Sequence, residues 1–162
     1  MKQLLFCISL MTNLLCYGQN LSKAVTTKHI DSVVSAINRH NNTLLKECHS
    51  INMFINGKKG YKCWNYYFND TSKTIVNKVS MSLNGLPVDL CFYYENNKVI
   101  KRDSYKIKKG RYISVWSIYF KNDKEIGYKG PDPEHGITYD KIEEAYYFLN
   151  LANEYAIKVA GR

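Results

Sequence analysis

The segment Gly130-Pro131-Asp132-Pro133-Glu134-His135-Gly136 holds the densest group of side chains that could do chemistry. Asp132, Glu134 and His135 could ligate a metal ion or share a proton, and functional residues are common in loops on rigid scaffolds. Adjacent Glu134 and His135 would point apart on a regular strand, however, and a zinc site needs three or four converging ligands. A proline- and glycine-bounded loop before a helix is also explained without chemistry. We therefore keep a small secreted hydrolase or metal-dependent enzyme using residues 130–136 as the alternative hypothesis.

The other histidines do not fall into a site by their spacing. His29 and His40 lie far apart along the axis of one predicted helix, so they cannot share an ion. Cys48 and His49 are adjacent, which is poor geometry for a nucleophile and its base. The chain carries no nucleophile elbow, phosphate loop, dinucleotide fingerprint or His-Glu-Xaa-Xaa-His motif. The sequence leans away from an enzyme and predicts no metal and no cofactor.

Tyrosines and basic residues recur through the middle of the chain, which has 14 tyrosines in all. Tyrosine and arginine are favoured at protein interfaces. The candidate binding residues are Tyr67, Tyr93, Tyr119, Lys98 and Arg102. The competing interpretation is that the tyrosines pack against cross-strand neighbours, which is ordinary strand composition. Exposed aromatic side chains indicate a binding face only where they form one contiguous patch.

Strands and tight turns must position these side chains, because one short pattern occurs three times, over residues 66–75, 93–100 and 119–126. In each copy, aromatic residues lead into an Asn-Asn or Asn-Asp pair, and a lysine and a β-branched residue follow. Asn and Asp tolerate the positive φ that two-residue hairpin turns require. Residues 56–60 give a fourth turn signal. The pattern predicts an antiparallel β-meander of about five to seven strands.

Helical spacing of apolar residues frames the predicted sheet at both ends. It predicts a helix over residues 27–39, and the Asn41-Asn42 pair leaves an extension to residue 47 open. A second stripe runs from Ile142 to Val159, with Asp140 and Glu143 placed as a capping box. Alternation over residues 74–83 indicates a half-buried sheet, whose apolar face we expect to pack on both helices in two layers. The predicted fold class is α+β, with the C-terminal helix packed on one face of the sheet.

The first 18 residues have the features of a cleaved signal peptide. Lys2 precedes an apolar stretch over residues 4–15, which is shorter than the ~20 residues that span a bilayer. Lipid anchoring through Cys16 is disfavoured, because Leu15 is bulky where a small residue is needed. We expect a mature chain of residues 19–162 that forms a single α+β domain, is secreted or periplasmic, and has no transmembrane segment.

Charge and cysteine content bear on partners and compartment. Loss of Lys2 with the leader lowers the formal net charge from +9 to +8. This balance favours attraction to anionic partners. For an exported protein these would be a protein or a polyanion of the cell envelope, and no nucleic acid is expected. Cys48, Cys63 and Cys91 remain, so they can form at most one internal disulfide, or all three can be buried thiols.

The segment Phe92-Tyr93-Tyr94-Glu95-Asn96-Asn97-Lys98-Val99-Ile100 carries a resemblance to a known group. With the leader ending at residues 16–19, it resembles small secreted proteins of Bacteroidetes-type bacteria that repeat Tyr-Tyr-Phe-x-Asn-Gly-Lys-Leu-Ile strands and end in a helix. Asn97 stands where the common form has glycine. The likeness covers roughly residues 60–160; it implies export and fold class, and transfers no active site.

These observations lead to one hypothesis, an exported, non-enzymatic binding module for an anionic envelope component or an acidic protein. Basic residues would steer the partner and tyrosines would anchor it. We expect replacement of Tyr93 and Tyr119 by alanine to weaken capture without unfolding the domain. A plain structural component of an assembly is a third reading.

Overall fold

The computed structural model describes residues 22–40, 43–55, 58–69, 75–83, 90–108, 111–130 and 141–160. Helix α1 occupies residues 22–39, seven strands follow, and helix α2 (Lys141–Ala160) ends the described chain. The strands are β1 (Thr43–Ile55), β2 (Lys58–Phe68), β3 (Val76–Leu83), β4 (Leu90–Glu95), β5 (Lys98–Lys108), β6 (Arg111–Lys121) and β7 (Lys124–Lys129). The predicted α+β class is confirmed.

The seven strands form one antiparallel sheet in chain order, β1 to β7, as a meander requires. At the tips of the β4–β5 and β6–β7 hairpins, Asn96, Asn97, Asn122 and Asp123 have φ angles of 51°, 59°, 50° and 58°. Two successive residues with positive φ define the turns that suit the right-handed twist of a hairpin. The Asn pairs therefore do what the sequence predicted. The turns at residues 56–57 and 70–74 lie outside the described residues.

The two helices lie on opposite faces of the sheet. Phe92 and Tyr94 belong to the core that α2 covers, whereas Cys91 and Tyr93 belong to the core that α1 covers. Successive strand residues point to opposite faces, so β4 presents large side chains on both sides. Each face then needs its own cover. The two-layer expectation is wrong for this reason, and the fold has three layers with the sheet in the middle.

The N-terminal helix begins before the predicted start at residue 27 and ends before residue 47, the end that the sequence left open. It is helical from residue 22 and stops at residue 39, and residues 43–48 already belong to β1. Leu44 and Leu45 pair with Tyr67 and Tyr66 of β2. The extension to residue 47 is therefore wrong. Glu143 and Glu144 lie in the first turn of α2, where carboxylates favour the helix dipole.

Cys48 and Cys63 are joined by a disulfide bond between directly opposed residues of β1 and β2. Cys91 is a free thiol with 1% of its surface exposed, and burial raises its pKa to about 12. The structure thus settles which of the sequence alternatives holds. A disulfide is compatible with an oxidising, extracytoplasmic compartment.

No helix among the described residues is long and apolar enough to span a bilayer. The leader at residues 1–18 lies outside the described residues, so export remains a prediction.

Candidate functional site

The three candidate tyrosines lie in one row across the sheet, on the face that α1 covers. The register pairs Tyr67 with Lys78, Lys78 with Tyr93, Tyr93 with Lys101, and Lys101 with Tyr119. We call these five residues the tyrosine–lysine row. The Lys78 Nζ atom lies 4.8 Å from the Tyr67 ring centre, and the Lys101 Nζ atom lies 5.2 Å from that of Tyr119. Such distances allow cation–π attraction within the row.

Most of the tyrosine–lysine row is buried beneath α1. Tyr93 and Tyr119 are each 1% exposed and Lys101 is 9% exposed, whereas Tyr67 is only partly buried. With α1 docked, a partner cannot reach the rings of Tyr93 and Tyr119. Truncating a buried aromatic residue costs about 3–5 kcal/mol, so replacement of Tyr93 and Tyr119 by alanine would destabilise the domain and cannot serve as a clean test of capture.

A carboxylate on α1 holds the helix to this row. Asp31 Oδ1 accepts hydrogen bonds from Lys101 Nζ at 3.1 Å and from the Tyr119 hydroxyl at 3.0 Å, and Asp31 Oδ2 accepts from Lys129 Nζ at 2.6 Å. We call these four residues the Asp31 cluster. Burial raises the pKa of Asp31, but the hydrogen bonds from Lys129, Lys101 and Tyr119 outweigh it, so the net shift is downward. The cluster is an ionic attachment of α1 to the sheet.

Two helical turns after Asp31, Asn38 makes a second polar contact between α1 and the sheet. Its side-chain amide donates to the Tyr93 hydroxyl at 3.3 Å and its carbonyl accepts from Lys78 Nζ at 2.9 Å. Sequence reasoning missed both Asp31 and Asn38. The signal was present, because residues seven apart share a helix side, and these two flank the apolar stripe that includes Val34.

Asp103 completes the polar network inside the α1-covered face. It is 4% exposed and lies 3.3 Å from Lys101 Nζ, and it accepts from the Tyr105 hydroxyl at 3.0 Å. The Tyr105 and Tyr93 hydroxyls are 3.4 Å apart. Desolvation raises the pKa of Tyr93 and of Tyr105, so both stay protonated and act as donors. Asp103 Oδ1 accepts no hydrogen bond and is compensated by the charge of Lys101, so this network is a polar contact inside a helix–sheet interface.

The two basic candidates lie apart from the tyrosines and from each other. Lys98 is exposed at the start of β5 and pairs with Asp123 at 3.0 Å. Arg102 lies on the α2 side of the sheet, 5% exposed, with its Nη2 atom 2.8 Å from Glu144 Oε2. Its guanidinium lies 4.8 Å from the Trp116 ring centre. Arg102 is therefore an internal contact between β5 and α2.

The structure brings Lys98 into a cleft that the sequence did not predict. This first cleft, of about 530 Å³, lies between the N-terminal half of α1 and the tips of the β4–β5 and β6–β7 hairpins. Apolar and basic residues of α1 and of the strand ends line it. The apolar residues are Val25, Ile30, Val99, Ile100 and Phe120, of which Val99 and Phe120 belong to the core beneath α2, and the basic residues are His29, Lys98 and Lys121.

A second cleft of about 480 Å³ follows along the same side of α1. It is lined by α1 residues 33, 36, 37 and 40, by Ile75, which precedes β3, and by Asn77 and Tyr94 of the sheet. Glu95 and Asn96 line both clefts, so the β4–β5 turn separates them. We call the two clefts together the α1 groove. Their lining comes from α1, β3, β4, β5, β6 and the β2–β3 connection, which explains why no local motif predicted the groove.

The candidate catalytic residues Asp132, Glu134 and His135 lie outside the described residues. Of the segment 130–136 only Gly130 is described. Its φ is 110°, and a Cβ there would meet the Val115 carbonyl oxygen and lie 2.9 Å from Trp116 Cα. A glycine is required at this position by sterics alone. Within the described ranges, no three His, Cys, Asp or Glu side chains are placed to hold a metal ion.

Comparisons of the chain with protein-family models, with curated proteins and with solved structures find no match.

Proposed function

We propose that this protein is an exported, non-enzymatic binding module for an acidic partner, with the α1 groove as its contact surface. The observation that carries the proposal is the first cleft, where the exposed apolar side chain of Val25 lies among lining residues that include Lys98, Lys121 and His29, with Glu95 as the one carboxylate among the described lining residues. Each cleft has a volume within the range of ~300–1,000 Å³ that is usual for ligand sites.

Apolar surface and lysines have different parts in such a site. Burial of apolar surface supplies most of the affinity, at roughly 25 cal/mol per Å². The lysines steer the acidic partner and set its orientation. Lys121 is exposed and has no ionic partner among the described residues, so its charge is available to a ligand. The formal net charge of the mature chain, +9 − 1 = +8, adds a long-range attraction of the same sign.

The polar groups in the groove are engaged in ways that do not suggest catalysis. The Thr26 hydroxyl, which lines the first cleft with His29, donates to the Ser22 carbonyl at 2.8 Å. Its proton is thus held by the backbone of its own helix, an ordinary helical contact. His40 Nδ1 lies 2.8 Å from the Ala36 carbonyl oxygen.

Affinity capture with matched charge variants tests the proposal. Residues 19–162 are immobilised, an envelope and supernatant extract of the native host is passed over them, and bound material is eluted with rising salt. We expect one protein or polymer to be retained beyond about 0.5 M salt, where screening removes most long-range surface attraction. Lys98→Glu/Lys121→Glu should release it at the first salt step.

The control is Lys46→Glu/Lys158→Glu, which makes the same change of charge at exposed lysines that do not line the groove. Loss of the Lys98–Asp123 pair costs little, because exposed pairs contribute about 0–1 kcal/mol, and circular dichroism checks the fold. If both double variants released the partner at the same salt step, the charge would act generically. If both retained the partner, the α1 groove would not be its binding site.

A further inference from the structure

We infer that the occupant of the α1 groove is an extended polypeptide segment with two apolar side chains four residues apart and acidic residues at one end. This inference rests on the proposed function and specifies its ligand. It follows from three features of the groove: its length, the spacing of its two clefts, and the uneven distribution of its charge.

The length of the groove suits a short extended segment. Its lining includes α1 residues from Val25 to His40, which at 1.5 Å per residue corresponds to about 22 Å. An extended chain advances about 3.3 Å per residue. About seven residues would therefore fill the groove from end to end.

The spacing of the two clefts determines how far apart the two apolar side chains of the bound segment must lie. Residues 25, 26, 29 and 30 of α1 line the first cleft, and residues 33, 36, 37 and 40 line the second. The centres of these two sets are nine helical residues apart, or about 13 Å. Four residues of an extended chain cover the same distance, and residues i and i+4 point to the same side. Residues i and i+3 point to opposite sides and cannot fill both clefts.

Each cleft has one large apolar side chain that the fold leaves exposed. Val25 in the first cleft is 63% exposed, and Ile75 in the second is 41% exposed. Both would be covered by apolar side chains of an occupant. This favours a ligand with two separate apolar groups.

Charge sets the orientation and the class of the ligand. Lys98 and Lys121 line only the first cleft, and Glu95 lies between the two clefts. Acidic residues are favoured beside the lysines and disfavoured at the middle, where Glu95 would repel them. A polymer with negative charge at every unit, such as an acidic polysaccharide, would meet Glu95 and the apolar second cleft. A polypeptide with acid at one end avoids both.

Synthetic peptides test this inference directly. We propose end-blocked, fluorescent nonapeptides with two glutamates at one terminus and two leucines separated by three serines, made with the acidic pair at either end. The matched peptides carry two serines between the leucines. Fluorescence anisotropy should show at least one of the first pair binding tenfold or more tightly than both matched peptides.

Variants locate the binding. Val25→Ser and Ile75→Ser should each weaken binding at least fivefold, and Ile157→Ser, a change at a residue on α2 that is 55% exposed and lines neither cleft, should leave it unchanged. Equal affinity for both leucine spacings, or failure of every peptide, would overturn the inference. Polyglutamate and an acidic polysaccharide serve as further probes. Binding of either one, lost in Lys98→Glu/Lys121→Glu, while no peptide binds would overturn the inference and leave the proposed function standing.

Discussion

Two asparagines at the tip of the β4–β5 hairpin have left-handed backbone conformations, with φ of 51° at Asn96 and 59° at Asn97. A residue with a Cβ loses roughly 1–2 kcal/mol in this region, and asparagine loses less than alanine. We expect Asn97→Ala to lower the free energy of unfolding by about 1 kcal/mol. The free energy of unfolding of Asn97→Gly should equal or exceed that of the parent protein, because glycine adopts this conformation freely.

Urea denaturation of the three proteins measures this prediction. If Asn97→Gly lost as much stability as Asn97→Ala, the side chain of Asn97 and not its backbone would be what matters.

Asp31 of α1 forms ion pairs with Lys101 and Lys129 of the sheet. Its pKa lies below the ordinary 3.8, because the hydrogen bonds from Lys129, Lys101 and Tyr119 outweigh the opposing effect of burial. The stabilisation is therefore complete above about pH 4 and is lost as the pH falls through the lowered folded value. We expect Asp31→Asn to reduce the hydrogen-exchange protection of α1 about fivefold at pH 7, which is roughly 1 kcal/mol for a partly exposed charged contact.

The pH dependence of this difference in protection separates the effect of the Asp31 charge from the effect of the shape of its side chain. The difference between Asp31→Asn and the parent should shrink as the pH falls through the lowered folded pKa of Asp31, because the parent carboxylate is then protonated too. A difference that stayed constant while the parent carboxylate was titrated would mean that the ionised carboxylate does not hold the helix.

At the residue scale, the turn asparagines were predictable because positive φ is a local property of residue type. The cross-strand alignment of Tyr67, Tyr93 and Tyr119 was not predicted, because it depends on the register between strands. Their burial beneath a helix was not predicted either, because it depends on where α1 lies, and no local pattern says which face a helix will cover.

At the element scale, the two helices differ in how they are held. The buried apolar residues of α1 are Ile30, Val34 and Ile37. Helix α2 buries five residues in the larger core, which are Ala145, Phe148, Leu149, Ala152 and Ala156. Since apolar burial dominates stability, we expect α1 to open locally with a lower free energy than α2.

Truncations in each helix test the difference. Leu149→Ala should lower the global free energy of unfolding by about 2–5 kcal/mol. Val34→Ala should cost about 1.5 kcal/mol, from roughly 0.8 kcal/mol per buried methylene-sized group, and should mainly speed amide exchange in α1. Equal exchange protection in the two parent helices would contradict the distinction.

The boundary between α1 and β1 shows the limit of periodicity. Leu44, Leu45 and Cys48 fit helical spacing, yet they lie in β1 and pair with β2. Short apolar runs suit either period, and a partner strand elsewhere in the chain decides between them.

At the scale of the whole molecule, the Cys48–Cys63 bond links edge strand β1 to the rest of the sheet. A cross-link that closes a loop of about 15 residues contributes roughly 3 kcal/mol in the chain-entropy account. We expect Cys48→Ser/Cys63→Ser to lower the free energy of unfolding by about that amount.

Thiol labelling of residues 19–162 checks the pairing. The native, unreduced protein should take up no iodoacetamide, because Cys91 is 1% exposed, and one label should enter on unfolding without reductant. Three labels on unfolding without reductant would show that no disulfide had formed.

The number of strands and the α+β class were predictable from turn signals and alternation. The three-layer arrangement was not predicted, although the sequence shows large side chains at both parities of residues 90–94. The α1 groove was beyond reach, because its lining residues, from Val25 to Asn122, meet only in the folded chain.

The most direct test of the account is amide hydrogen exchange, read by mass spectrometry, of residues 19–162 with and without the partner retained in affinity capture. Binding in the α1 groove predicts slower exchange in residues 25–40 and at the hairpin tips, residues 95–98 and 120–122, with β1 and the second half of α2 unchanged. Slower exchange confined to β1 or α2, with α1 and the hairpin tips unchanged, would contradict it.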